Sequence, residues 1–214
     1  MKIDNALEKY VLSHIVEESP LMKRLYRETQ LRMVNGRMCS GHIQGSLLTL
    51  ISKLICPSRI LEIGTYTGYS ALCLANGLSD HGVIHTIEIN DELERLASTF
   101  FEESGMRDRI IQHIGDADVV VSTLEDRFDL VFIDADKRKY LAHYNLVFPK
   151  VTIGGVIMAD NTLWAGKVVQ KVARADEQTQ RILEFNDFVR NDPRVETYMI
   201  PVRDGITLLR KISD

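Results

Sequence analysis

From position 59 onward the apolar pattern of this chain repeatedly changes period, and that alternation constrains the fold more than any other feature. Short apolar runs at 60–63, 83–89, 109–114, 129–134 and 155–160 alternate with stretches spaced for helices. Strands and helices in alternation build a parallel sheet with right-handed crossovers. Leu130, Val131, Phe132 and Ile133 form an unbroken apolar run, as expected for a strand covered on both faces. Leu93, Leu96, Ala97, Phe100 and Phe101 share one helical face, Asp91 with Glu94 predicts a capping box, and Gly105 stands where that helix should stop. The end differs. After a helix marked by Ile182, Phe185, Phe188 and Val189, runs at 196–201 and 206–210 flank Asp204 and Gly205, a hairpin signal. The sheet should therefore finish with an antiparallel strand pair.

The first 57 residues read as a helical lead-in. Ile3, Leu7, Val11 and Ile15 are four apart, Ser19 and Pro20 are a helix start, and Leu47, Leu48, Ile51, Leu54 and Ile55 form a third apolar face that ends before Pro57. It is either a cap over one sheet edge or a lid or dimer arm, since 32–41 is polar and carries glycine. The 214 residues suit one domain over 1–214, divided into the lead-in 1–57 and an α/β core 58–214. A net charge of −4 argues against a general nucleic-acid binder. Cys39, Cys56 and Cys73 are odd in number and lack a C-x-x-C pair, which disfavours a disulfide framework or zinc site; Cys56 and Cys73 should pack as small hydrophobes. With no apolar run of signal-peptide or membrane-spanning length, the expectation is a soluble cytoplasmic protein.

The first strand leads into a tight turn. Ile60, Leu61 and Glu62 are followed by Gly64 and Gly68, and a helix begins near Ser70. Such a turn brings backbone close to a ligand and offers free N–H groups. The spacing is not G-x-G-x-x-G, and Glu62 would repel a pyrophosphate where it would tolerate a sulfonium or an amino group. Each parallel strand ends on or near an acid: Glu62, Glu88, Asp116, Asp134 and Asp160. In open α/β sheets ligands sit beyond the carboxyl ends of the strands. An acidic rim there predicts a cationic ligand, a metal, or both. Glu88 lies where an acid pairs with ribose hydroxyls in nucleotide-binding βαβ units.

Asp134, Asp160 and Asn161 together offer hard oxygen ligands suited to Mg²⁺, Mn²⁺ or Ca²⁺. The plainer alternative is that Asp160 and Asn161 only start a turn. Lys137 is placed to act as a general base if its pKa is lowered, or else is a surface lysine in the basic run 137–139.

Four blocks then carry a resemblance. They are the stretch from Leu61 to Ser70, the stretch from Phe132 to Lys137, and Asp160 to Trp164, followed in order by Asp204 to Leu208. Together they resemble the cation-dependent class I O-methyltransferases, the caffeoyl-CoA and catechol O-methyltransferase family. The resemblance implies a Rossmann-like, seven-stranded methyltransferase sheet with an N-terminal helical extension, binding S-adenosylmethionine. It implies that Glu62, Gly64 and Ser70 hold the methionine part, Glu88 the ribose, and Asp116 and Ala117 the adenine. Asp136 would meet the cofactor's amino end, and Met38 would lie in a covering segment. Asp134, Asp160 and Asn161 match the metal ligands and Lys137 the base. The implied acceptor is a small aromatic molecule with vicinal hydroxyls, walled by Trp164 and Tyr66, and the implied assembly is a homodimer. Two positions depart: His143 stands where a tyrosine is frequent, and Ala165 where the plant caffeoyl-CoA enzymes carry asparagine. The competing readings are an RNA (tRNA) methyltransferase and a non-catalytic adenosylmethionine-binding module.

Overall fold

The computed structural model describes residues 5–214. The lead-in forms α1 (Asn5–His14), α2 (Pro20–Arg32) and α3 (Gly41–Ile55). Ser19 caps α2, its hydroxyl accepting from the Met22 N–H ahead of Pro20 at the first turn. Ile3, assigned to the first helix, lies outside the described residues.

The core runs β1 (Arg59–Ile63), α4 (Tyr69–Ala75), β2 (Val83–Glu88), α5 (Glu94–Glu103), β3 (Ile110–Ile114), α6 (Ala117–Thr123), β4 (Phe128–Ile133) and α7 (Tyr140–Val147). It continues with β5 (Val151–Asp160), α8 (Glu177–Asn191), β6 (Val195–Ile200) and β7 (Ile206–Lys211). The strands form one seven-stranded sheet in the order β3-β2-β1-β4-β5-β7-β6. The first five are parallel, and β7 lies antiparallel between β5 and β6. The chain winds outward from β1 to β3 and then returns to β4 on the other side of β1. The switch point therefore lies between β1 and β4.

The unbroken apolar strands serve two cores. Leu130 and Phe132 of β4 join Ile60, Leu48 and Tyr69 on one face, and Val131 and Ile133 join Leu61, Tyr144 and Phe185 on the other. Helix α4 is buried along its whole length, because α3 packs over it. A side chain at Gly45 would meet the Tyr69 ring at 2.7 Å, which is why α3 carries glycine there.

Three local expectations need correction. The cap before α5 is Asn90, whose side chain accepts from Glu92 N–H and opens a 3₁₀ turn, so Asp91 and Glu94 form no capping box. Strand β5 starts at Val151 rather than 155. Gly154, at φ +87°, sits inside an irregularity of the β4–β5 register instead of in a loop. Cys73 is buried, but Cys56 is exposed, because it takes the left-handed position (φ +51°) that ends α3.

Candidate active site

The turn after β1 is held from three sides. Gly64 and Thr65 N–H groups both donate to the Ile87 carbonyl of β2, at 2.9 and 3.1 Å. Glu88, at the end of β2, accepts from the Tyr66 N–H at 2.7 Å and the Asn90 N–H at 2.9 Å. Gly64 sits at φ +106°, and a Cβ there would lie 2.0 Å from the Asp134 carbonyl oxygen. That contact, across the switch point, puts the end of β4 directly against the turn.

Glu62 is fully buried. Thr65 donates to Thr86, which donates to Glu62 Oε2, while Oε1 has no partner among the described residues. Burial pushes the Glu62 carboxyl up to about 8, against the Ser70 and Thr86 hydroxyls, and Asp134 and Glu88 push it further in the same direction. An orphaned buried oxygen at a ligand crevice fits a donor or cation supplied by the ligand. The residues present therefore fit the charged amino end of adenosylmethionine.

The second half of the site sits at the ends of β4 and β5. Lys137 Nζ, almost fully buried, donates to Asp134 Oδ1 at 2.8 Å and to the Tyr140 hydroxyl at 2.5 Å. Tyr140 in turn donates to the Asp160 carbonyl at 3.0 Å, tying α7 to both strands. Burial alone would pull the Lys137 pKa down; Asp134, Tyr140 and Asp160 outweigh it and hold the ammonium above the usual lysine value. Asp160 is buried, and burial with the neighbouring Asp134 raises its carboxyl to about 7, against Lys137, Gln44 and the Asn161 N–H. Asn161 follows in the left-handed conformation, φ +56°. Among the described residues no cluster of three or more His, Cys, Asp and Glu side chains forms a metal site. The candidate set is two carboxylates and one amide. Asp134 and Asp160 are near enough to influence each other and share one neighbouring ammonium, Lys137, an excess of carboxylate that suits a further cation.

The remaining sequence candidates are less concentrated. Asp116 caps α6 through the Asp118 N–H and pairs with Lys139 at 3.1 Å, which hold its pKa below the usual range; Ala117 opens that helix. Asp136 is engaged by the Arg138 guanidinium at 2.6 Å, so its carboxylate already has a cationic partner. Met38 is exposed on the 3₁₀ turn Gly36–Met38. Trp164, half-buried, packs on the cluster containing Tyr140 and Phe185, with Nε1 buried and unpartnered among the described residues. The Tyr66 hydroxyl is orphaned in the same way.

Sequence reasoning missed two residues. Gln44 of α3 donates from Nε2 to Asp160 Oδ2 at 2.7 Å. Arg203, in the β6–β7 turn, donates from Nη1 to Gln44 Oε1 at 3.3 Å and to the Cys39 carbonyl at 3.1 Å. The available signal was a glutamine on a buried stripe, since Gln44, Leu48 and Ser52 are spaced by four.

A family model described as O-methyltransferase matches residues 12–212. The chain is 37% identical to a caffeoyl-CoA O-methyltransferase of Petroselinum crispum, over 98% of this chain and 92% of that one. It is 36% identical to caffeoyl-CoA O-methyltransferase 5 of Nicotiana tabacum, with the same shares covered. Among solved structures, the O-methyltransferase TomG of Streptomyces achromogenes in complex with SAM superposes with a TM-score of 0.91 at 27% identity, covering 98% of this chain and 97% of that one. The Bacillus cereus O-methyltransferase in complex with SAH gives 0.89 at 26%, covering 96% and 97%. The strand order, the glycine turn beside Glu62 and these likenesses agree, and the chain belongs to the O-methyltransferase family, with the fold of the S-adenosylmethionine-dependent class I methyltransferases.

Proposed function

We propose that the enzyme transfers the sulfonium methyl of S-adenosylmethionine to one hydroxyl of a vicinal dihydroxy aromatic molecule, with a divalent cation, Mg²⁺ by preference, at Asp134, Asp160 and Asn161. The observation that carries this reading is the placement of the Asp134–Lys137–Asp160 group against the Gly64 turn. Methyl donor and acid pair would thus meet at one switch point. The caffeoyl-CoA relatives support a catechol acceptor, since a caffeoyl group carries adjacent phenols.

In this reading Glu62 and Ser70 bind the amino acid part of the donor, Glu88 its ribose, and Asp116 and Ala117 its adenine. Gly64 lets the donor approach the backbone. Asp136 and Met38 border the cofactor at its open side. Asp134, Asp160 and Asn161 would hold a divalent ion, which would supply Lewis acidity to lower the phenol pKa and positive charge to offset the carboxylate field that keeps Lys137 protonated. Lys137, its ammonium proton passed to solvent under that charge, would then take the phenol proton on Nζ, held in place by Tyr140. Trp164 and Tyr66, whose Nε1 and hydroxyl are orphaned, wall the aromatic ring. A homodimer formed through the lead-in accounts for the exposed Tyr10 and Leu31 of its helices and Val16 between them.

Replacing Asp160 tests the reading. Asp160→Ala should abolish transfer to a panel of simple catechols, read by mass spectrometry, while S-adenosylhomocysteine affinity by calorimetry stays within about threefold, an allowance of under ~1 kcal/mol. Full catechol turnover in that variant would refute it.

A further inference from the structure

We propose that Gln44 is the positioning residue for the Asp160 carboxylate, and that Arg203 fixes which end of the Gln44 amide faces it. The proposal rests on the reading of Asp160 as a metal ligand.

Gln44 and Asp160 are both buried, and come from α3 and the end of β5, 116 positions apart. Asp160 makes two hydrogen bonds through its carboxylate. Oδ1 accepts from the Asn161 N–H at 2.7 Å, and Oδ2 accepts from Gln44 Nε2 at 2.7 Å. The first is local and follows from the turn. The second comes from the lead-in and is the long-range contact that orients the carboxylate plane. Each oxygen still has a lone pair for a cation.

An amide can face a carboxylate only through its NH₂ end. Flipped, it would set Oε1 against Asp160 and Nε2 against a guanidinium, two repulsive contacts in place of two hydrogen bonds. Arg203 Nη1, at 3.3 Å from Oε1, sets its positive charge against that oxygen and so favours the productive orientation. The same guanidinium also donates to the Cys39 and Ser40 carbonyls, so it joins the β6–β7 turn to the chain just ahead of α3. Arg203 sits at φ +50°, where a non-glycine residue is strained. A strained backbone carrying a side chain that reaches several lead-in partners is the pattern of a residue held for its contacts. Partners of metal ligands commonly contribute about 10–100-fold to metal affinity by orienting the ligand.

The test uses the full chain saturated with S-adenosylhomocysteine and titrated with Mn²⁺, the free ion being read by electron paramagnetic resonance. Gln44→Met keeps the volume and removes the donor; its Mn²⁺ affinity should fall about 10–100-fold with S-adenosylhomocysteine affinity unchanged. Arg203→Gly relieves the positive φ, keeps the turn, and should weaken Mn²⁺ in the same direction by less. The double variant should match Gln44→Met alone, since Arg203 acts on the carboxylate through Gln44. If Gln44→Met fails to fold, the weakening in Arg203→Gly carries the test, and unchanged Mn²⁺ affinity there overturns the proposal. Wild-type Mn²⁺ affinity in a folded Gln44→Met also overturns it, and strictly additive losses in the double variant overturn the role given to Arg203. A wild-type enzyme that methylates catechols without binding Mn²⁺ or Mg²⁺ overturns the metal reading itself, and this proposal with it.

Discussion

Glu62 is a carboxyl group in the middle of the sheet whose folded state holds its proton up to about 8, against an ordinary value of 4.5. The folded, ligand-free protein thus binds more protons than the unfolded chain between those values. Glu62's contribution to stability is complete below about 4.5 and is lost as pH rises through about 8. A cationic amino group docking on the orphaned Oε1 reverses the preference and drives the proton off. Cofactor binding near pH 7 should therefore release close to one proton, seen as a dependence of the calorimetric heat on buffer ionisation enthalpy. Glu62→Gln should abolish that release; a buffer-independent heat in the wild type would contradict the assignment. Asp116, which the sequence puts in the same rim, and Asp136, just past the end of β4, behave differently. Arg138 neutralises Asp136 from two positions away, and Lys139, 23 positions on, pairs with Asp116. An acid at a strand end is legible in a sequence, but whether its charge is already matched depends on side-chain geometry.

At the level of elements, the site depends on the β1–α4 turn touching the end of β4. Gly64→Ala would drive a methyl into the Asp134 carbonyl and force a positive φ on a residue with a Cβ. Strain of about 1–3 kcal/mol with overpacking of about 1–3 kcal/mol predicts a loss of roughly 2–6 kcal/mol in urea unfolding. A loss under ~1 kcal/mol would mean the two strand ends are not in that contact. The strands themselves were readable because their apolar runs are short and bounded by turn residues. The start of β5 was not, because Gly154 interrupts the apolar run and the ladder tolerates it as an irregularity. Gln44 and Arg203 stayed hidden for another reason. Their partners lie 116 and 159 positions away, and no local pattern encodes a contact that only the packing of α3 over the sheet creates.

Across the whole molecule, the alternating pattern led to the parallel sheet, and Asp204 with Gly205 to the antiparallel β6–β7 pair that completes seven strands. No helix among the described residues is long and apolar enough to cross a membrane. The topology puts the glycine turn and the acid pair on either side of one switch point, so the proposed donor and acceptor sites would follow from strand order as much as from individual residues. The central claim is that Asp134, Asp160 and Asn161 make methyl transfer depend on a divalent cation. It is tested most directly by stripping the purified enzyme with a chelator, dialysing the chelator away, and measuring methylation of a simple catechol before and after adding Mg²⁺. The account predicts turnover reduced to background and restored by Mg²⁺ alone; undiminished turnover in the stripped enzyme would contradict it.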